Sequence, residues 1–300
     1  MASVEELNRK FSHVAGIRFC QSEEIYPLVT GSLPLLVVEN EAARLLLALN
    51  GAHVMSFVPA GKPDLLWMSP KTGMARGIPI RGGIPLCLPW FGPHAEGHPQ
   101  HGFARISDWR IDSITATDPA VTTIRLSLSD TPESRAMWPH AFAFSLDLRV
   151  GQELELRLSV TNLGETPARL EFAFHTYFNV GDVAKTEVLG LENCVYLDRL
   201  NADTRHQQQG AVTIPAATTH FFRAVPSVQT IRTPLGTYRT EADFEGCMVW
   251  NAGDNDKNMA DLGEGNHRFY LCVEPVDALD AAAVLAPGAK YQRTLRLSAL

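Results

Sequence analysis

The chain has 300 residues, 45% of them hydrophobic and 20% charged, with a formal net charge of −7 at pH 7. That length and apolar content can bury a sizeable core, and the acidic balance argues against nucleic-acid binding through a global basic field. Five scattered cysteines with no CxxC pair read as reduced thiols. The start, MASVEELNRKF, has no apolar signal core and no run is long enough to span a bilayer, so a soluble cytoplasmic protein without a membrane partner is expected.

Ser3 and Glu6 form a capping-box pattern that predicts a short helix over residues 4–11. From Leu35 the texture changes to short apolar runs, and residues 35–39, 43–49, 53–60 and 64–69 read as strands, with Asn50-Gly51 as a turn signal. Residues 122–130 alternate, and Pro132 to Trp138 could form one helical turn. The clearest pattern follows: Phe142, Phe144, Leu146, Leu148 and Val150 are apolar at every second position, and after Gly151-Gln152 the alternation resumes through Leu154, Leu156, Leu158 and Val160. A period of two makes this a hairpin with one buried face. Strands are further expected at 168–180, near 186–199, at 211–214, 218–224, 227–233, 247–251, 268–276 and 291–300, with Gly253 to Gly265 as a polar loop. No fixed-period repeat or composition break divides the chain. Many short strands and little helix predict an all-β fold, one large antiparallel β-sandwich domain over residues 1–300 with a few short helices.

One stretch departs from this texture. Residues 81–105 read RGGIPLCLPWFGPHAEGHPQHGFAR. Pro85, Pro89, Pro93 and Pro99 exclude a long helix or a central strand, and the segment is too apolar and aromatic for a disordered linker. Structured loops of this length in compact domains are usually functional. Arg81 and Arg105 each stand beside glycine or small residues, Arg81-Gly82-Gly83 and His101-Gly102-Phe103-Ala104-Arg105, an arrangement expected to let a bound phosphate or hydroxyl cluster approach the backbone. Trp90 and Phe91 either stack on a sugar or fill core.

His175 ends a run in which Phe172 and Phe174 share one face and Ala173 and His175 the other, so it either lines a cleft or is a hydrogen-bonded core histidine. Glu274 ends the apolar run Phe269–Val273 just before Pro275; a carboxylate there is expected to be part-desolvated and a stronger base, or is an ordinary strand-end glutamate. His94, His98 and His101 have metal-like spacing, but Gly97 and Pro99 deny them a helical register, so no metal is expected. Gln100 and Asp198 carry no signal of their own.

Taken together, RGGIPLCLPWFG at 81–92, QHGFAR at 100–105, FHTYFNVGD at 174–182, VYLDRL at 195–200, VWN at 249–251 and CVEP at 272–275 resemble the aldose 1-epimerase (galactose mutarotase-like) superfamily. Within it the closest likeness is to glucose-6-phosphate 1-epimerases, the hexose-6-phosphate mutarotases. The resemblance runs from about residue 35 to the C-terminus. It implies a cofactor-independent interconversion of sugar anomers, with Glu274 as general base and His175 as general acid. It further implies that Arg81, His101 and Asp198 hold the sugar, that Arg105 with Arg81 binds phosphate, and that Gln100 belongs to the same substrate-binding set. A small sugar phosphate is the expected partner of a monomer. Two positions depart from the family pattern: Ala252 stands where a proline often follows Trp-Asn, and Val276 where a glycine often follows the CxEP run. Acceleration of anomer exchange distinguishes a mutarotase from a non-catalytic carbohydrate-binding sandwich, and its dependence on the phosphate distinguishes it from an aldose mutarotase for free sugars.

Overall fold

A computed structural model describes residues 2–300. Two eight-stranded antiparallel sheets carry the architecture. The first runs Thr204–Gln207, Val195–Asp198, Thr218–Arg223, Gly246–Asn251, Tyr270–Asp277, Phe172–Phe174 and Leu86–Cys87, with Tyr177–Asn179 also paired to Tyr270–Asp277. The second runs Glu187–Leu189, Val228–Thr233, Gly236–Ala242, Lys290–Ala299, Leu154–Asn162, Phe142–Val150, Val121–Ser129 and Arg110–Asp118. A four-stranded sheet of Ile17–Gln21, Pro34–Glu39, Ala43–Ala48 and His53–Pro59 flanks them. The helices are short: Val4–Lys10, with the expected capping box from Ser3 and Glu6, and Pro132–Met137, capped by Thr131.

The expected hairpin is present, with Phe142, Phe144, Leu146, Leu148 and Val150 inward and Leu154, Leu156, Leu158 and Val160 opposite them. These side chains meet Phe172, Phe222, Val249, Leu271 and Val273 from the first sheet in one core, which Leu45, Leu47, Val54 and Phe57 extend into the flanking sheet. Tyr270–Asp277 is buried at every position. Leu271 and Val273 enter the inter-sheet core, and the alternation sends Tyr270, Cys272, Glu274 and Val276 to the other face. That second face carries the site.

Three expectations differ from the structure. Residues 64–69 form isolated bridges, Leu66 to Phe178 and Met68 to Gly82, because the Asp64 carboxylate takes the backbone N–H groups of Phe57 and Leu66 that a ladder would use. Residues 168–180 are three short strands: Ala168–Leu170 pairs with Ala283–Leu285, whereas Phe172–Phe174 and Tyr177–Asn179 join the first sheet. Val212 makes a single bridge to Val188, so 211–214 is not a strand. Arg110–Asp118 and Gly236–Ala242 are strands that polar and threonine-rich sequence concealed.

Phe144 is 1% exposed and packed among Phe103, Trp109, Trp138 and Phe142. Phe144→Ala is expected to destabilise the fold by about 3–5 kcal/mol, whereas Leu163→Ala, at a side chain 58% exposed, is expected to stay within about 0.5 kcal/mol. Urea unfolding followed by tryptophan fluorescence measures both.

Candidate active site

The proline-rich stretch and the strand around His175 are built against each other. Leu86–Cys87 is a two-residue edge strand beside Phe172–Phe174. On either side of it proline carbonyls continue the contact: Glu171 N–H donates to the Pro89 carbonyl at 2.9 Å and His175 N–H to the Pro85 carbonyl at 3.0 Å. Proline lacks a donor but keeps its acceptor, so the segment can receive these bonds although it cannot lie inside a sheet. The chain kinks at His175-Thr176 and rejoins the sheet at Tyr177, whose N–H donates to the Gly83 carbonyl at 2.9 Å.

The glycines beside the arginines serve a different purpose from the one expected. A Cβ on Gly82 would lie 2.5 Å from the Trp67 carbonyl oxygen, and one on Gly102 would lie 2.0 Å from that of Leu88. They admit the protein's own backbone, not a ligand, and their positive φ angles of 116° and 74° suit glycine.

The result is a cavity of about 460 Å³ lined by Arg81, Phe91, Gln100, His101, Arg105, His175, Arg199, Phe221, Met248, Trp250, Asn255 and Glu274 among others. His175 Nδ1 and Glu274 Oε1 are 3.4 Å apart. Both residues are nearly withdrawn from water, at 7% and 1% exposure. His175 Nδ1 and Glu274 Oε2 have no hydrogen-bond partner. The His175 ring stacks on Tyr177 at 4.9 Å and meets the His101 ring edge at 5.5 Å.

Burial drives the Glu274 carboxyl well above its usual range, with Arg105 opposing the shift. Burial, then His101, Arg105 and Arg81, holds His175 well below its ordinary value. Each group is thus held toward its uncharged form, the carboxyl toward the acid and the imidazole toward the neutral ring. Moving the carboxyl proton to the imidazole creates a desolvated carboxylate and a desolvated imidazolium, a stronger base and a stronger acid than their counterparts in water. His101 is pushed down to about 3 by burial and then by Arg105 and Arg81. Its Nδ1 accepts from Gly92 N–H, so the neutral ring carries its proton on Nε2, 3.2 Å from the Gln100 amide. The Gln100 atom placed there is the amide nitrogen Nε2, and a half-turn of the amide would set its oxygen against the His101 N–H.

Arg81 is clamped. Its Nε and one terminal nitrogen each lie 2.9 Å from Asp261 Oδ2, and its other terminal nitrogen donates to the Tyr177 hydroxyl at 2.9 Å. Burial works against its charge, but Tyr177 and Asp261 more than offset this and hold it protonated. Arg105 donates to the Gln100 carbonyl at 2.7 Å, and its Nε is without a partner.

The structure thus brings His175, Glu274, Arg81, Gln100, His101 and Arg105 to one cavity. Asp198 is the exception among the residues named from sequence. It pairs across to His220, and its carboxylate receives Leu200 N–H and the Asn201 amide. The next residue, Arg199, lines the cavity instead and ion-pairs with Asp203 at 2.7 Å. Arg199 lies in the turn just past the strand Val195–Asp198, so strand alternation gives no signal for it. Asp261 and Asn255, on the polar 253–265 loop, had no signal either. Of the two aromatics left open, Trp90 is core, with its indole N–H on the Pro99 carbonyl, and Phe91 lines the cavity. His94, Glu96 and His98 cluster on the loop without His101.

The two departures from the family pattern have local reasons. Ala252 donates its N–H to the Tyr270 hydroxyl at 3.2 Å, which a proline could not do. Val276 packs with Cys87, Ala173, Phe221 and Met248, adding apolar surface behind Glu274.

Comparison with known proteins agrees with this architecture. The aldose 1-epimerase family matches residues 34–298. A protein of Escherichia coli strain K12 named "Putative glucose-6-phosphate 1-epimerase" is 32% identical over 272 residues, covering 87% of this chain and 90% of its own length. A protein of the same name from Cenchrus ciliaris is 35% identical over 265 residues, covering 84% of this chain and 80% of its own. The crystal structure of a "putative mutarotase" from Salmonella typhimurium superposes with a TM-score of 0.84 at 27% identity, over 93% of this chain and 98% of that one. With a match that spans both large sheets and the whole cavity, this chain belongs to the aldose 1-epimerase family.

Proposed function

We propose that this protein interconverts the α and β anomers of a hexose 6-phosphate, glucose 6-phosphate first among them, by acid–base ring opening and closure. The observation that carries the reading is the buried His175–Glu274 pair on a cavity whose wall holds Arg81, Arg105 and Arg199. Glu274 takes the proton of the anomeric hydroxyl while His175 protonates the ring oxygen. The bond from the anomeric carbon to the ring oxygen breaks, its electrons go to that oxygen, and an aldehyde forms. Rotation of the aldehyde and closure on its other face, with both protons returned, gives the other anomer. No electron or group is exchanged with a cofactor, so none is invoked.

Arg105 is the phosphate anchor in this reading, joined by Arg199. The resemblance gives Arg81 both the sugar and a share of the phosphate, but three of its five N–H donors are committed to Asp261 and Tyr177. It therefore serves sugar hydroxyls, with His101 and Gln100. Asp198 shapes the turn that presents Arg199 and does not hold the sugar through its own carboxylate. We further read residues 1–300 as one domain acting as a cytoplasmic monomer on a small sugar phosphate, without nucleic acid or membrane as partner. The acidic net charge, the free cysteines and the lack of any helix among the described residues long and apolar enough to cross a membrane support this.

NMR exchange between the anomers of glucose 6-phosphate tests the assignment. Glu274→Gln and His175→Asn should each lower kcat by roughly 10²–10⁴-fold with KM little changed; full turnover in Glu274→Gln would remove it as the base. Arg105→Ala should raise KM for glucose 6-phosphate at least about tenfold with little loss of kcat, because a grip on the non-reacting phosphate stabilises ground and transition states alike. The same substitution should leave exchange of free glucose nearly unaltered. Equal effects on both sugars would place Arg105 elsewhere in the reaction.

A further inference from the structure

The alternation that brings Glu274 to the site face of Tyr270–Asp277 also brings Cys272 there, one position before it in the same row. One ligand atom each from His175, Cys272 and Glu274 lies within 4.8 Å of the others. We propose that these three side chains form a binding site for a zinc ion, and that the ion, when bound, switches the enzyme off by occupying its acid–base pair. The regulatory half of this statement rests on the catalytic reading of His175 and Glu274; the binding half does not.

Three observations carry it. The donors are an imidazole, a thiol and a carboxyl, the set that zinc takes in preference to calcium or magnesium. The 3.4 Å between His175 Nδ1 and Glu274 Oε1 is long for an N–H···O hydrogen bond. It does match the edge of a zinc tetrahedron, about 3.3–3.7 Å for metal–ligand bonds of about 2.0–2.3 Å. Finally, His175 Nδ1 and Glu274 Oε2 are buried without any hydrogen-bond partner, and a coordinated cation satisfies groups of this kind. His175 and Glu274 line the cavity, which gives an ion a path to them, while Cys272 stands fully buried behind the cavity wall. Binding releases the Cys272 thiol proton and the Glu274 carboxyl proton to solvent, leaving thiolate, carboxylate and neutral imidazole around the metal.

A second trio, His94, Glu96 and His98, has a similar spread. It is the weaker candidate: Glu96 is exposed, and His94 Nδ1 already accepts from the Glu96 N–H. It supplies the control.

The test titrates the full-length protein, stripped of metal, with Zn²⁺ by calorimetry and with Co²⁺ by absorption spectroscopy. Wild type should bind one equivalent, and cobalt should give a thiolate-to-metal charge-transfer band. That band should vanish in Cys272→Ala and Cys272→Ser, with zinc affinity reduced at least about tenfold. The double variant His94→Ala/His98→Ala should bind as wild type does. Zinc should inhibit anomer exchange in wild type with a midpoint at its binding constant, and less in either Cys272 variant. Absence of the charge-transfer band in wild type, unchanged zinc affinity in both Cys272 variants, or loss of binding in the His94/His98 variant would overturn the site. An active protein with no band leaves the mutarotase reading intact and removes the zinc site. A band in a protein that does not exchange anomers does the reverse.

Discussion

A carboxyl and an imidazole are withdrawn from water together, 3.4 Å apart, against a strand buried at every position. Neither can be charged cheaply there. Burial holds Glu274 toward its protonated form and His175 toward its neutral form. A pair bearing one proton is tolerable in a core, and it is also the stoichiometry that a reaction with one base and one acid requires. Burial thus limits how the site can rest and strengthens what it can do once a sugar is bound. The charge that opposes the shift of Glu274 is that of Arg105, and it is outweighed by burial.

The surroundings keep these two side chains in place. His175 falls at a kink between two short strands, where the backbone would otherwise lack partners. The Pro85 carbonyl and the edge strand Leu86–Cys87 supply them. Tyr177 stacks on the imidazole and also receives a hydrogen bond from Arg81, which Asp261 holds from the far loop. The proline-rich segment, the kinked strand and the loop after Gly253 are therefore one construction. Its members are distant in sequence, and each supplies a wall of the cavity that the others cannot.

Much of this was readable from the chain. The period-two runs at 142–150 and 154–160 identified a one-faced hairpin, because alternation depends only on local pleat geometry. The doubly apolar run before Glu274 pointed to a central strand for the same reason. His175 was legible as the residue opposite the Phe172–Phe174 face. What escaped had a non-local cause. The strand expected at 168–180 is divided where Pro89 and Pro85 accept the N–H groups of Glu171 and His175 but have no N–H to return, which no local pattern encodes. The resemblance marks Asp198 where Arg199 lines the cavity, since a motif marks a neighbourhood while the turn after the strand decides which residue faces in. Asp261 reads as a loop carboxylate until the fold brings Arg81 to it, 180 residues away. Gly82 and Gly102 stand out in the sequence, but what requires them is backbone from Trp67 and Leu88 in the space a Cβ would take, a contact no local pattern encodes.

The most direct test of the central claim is a crystal structure of Glu274→Gln soaked with glucose 6-phosphate. The account expects the ring oxygen and the anomeric hydroxyl within hydrogen-bond reach, about 2.6–3.2 Å, of His175 and residue 274 respectively, with the phosphate on Arg105 and Arg199. A sugar bound with its anomeric carbon turned away from both residues, or its phosphate lodged outside this cavity, would contradict it.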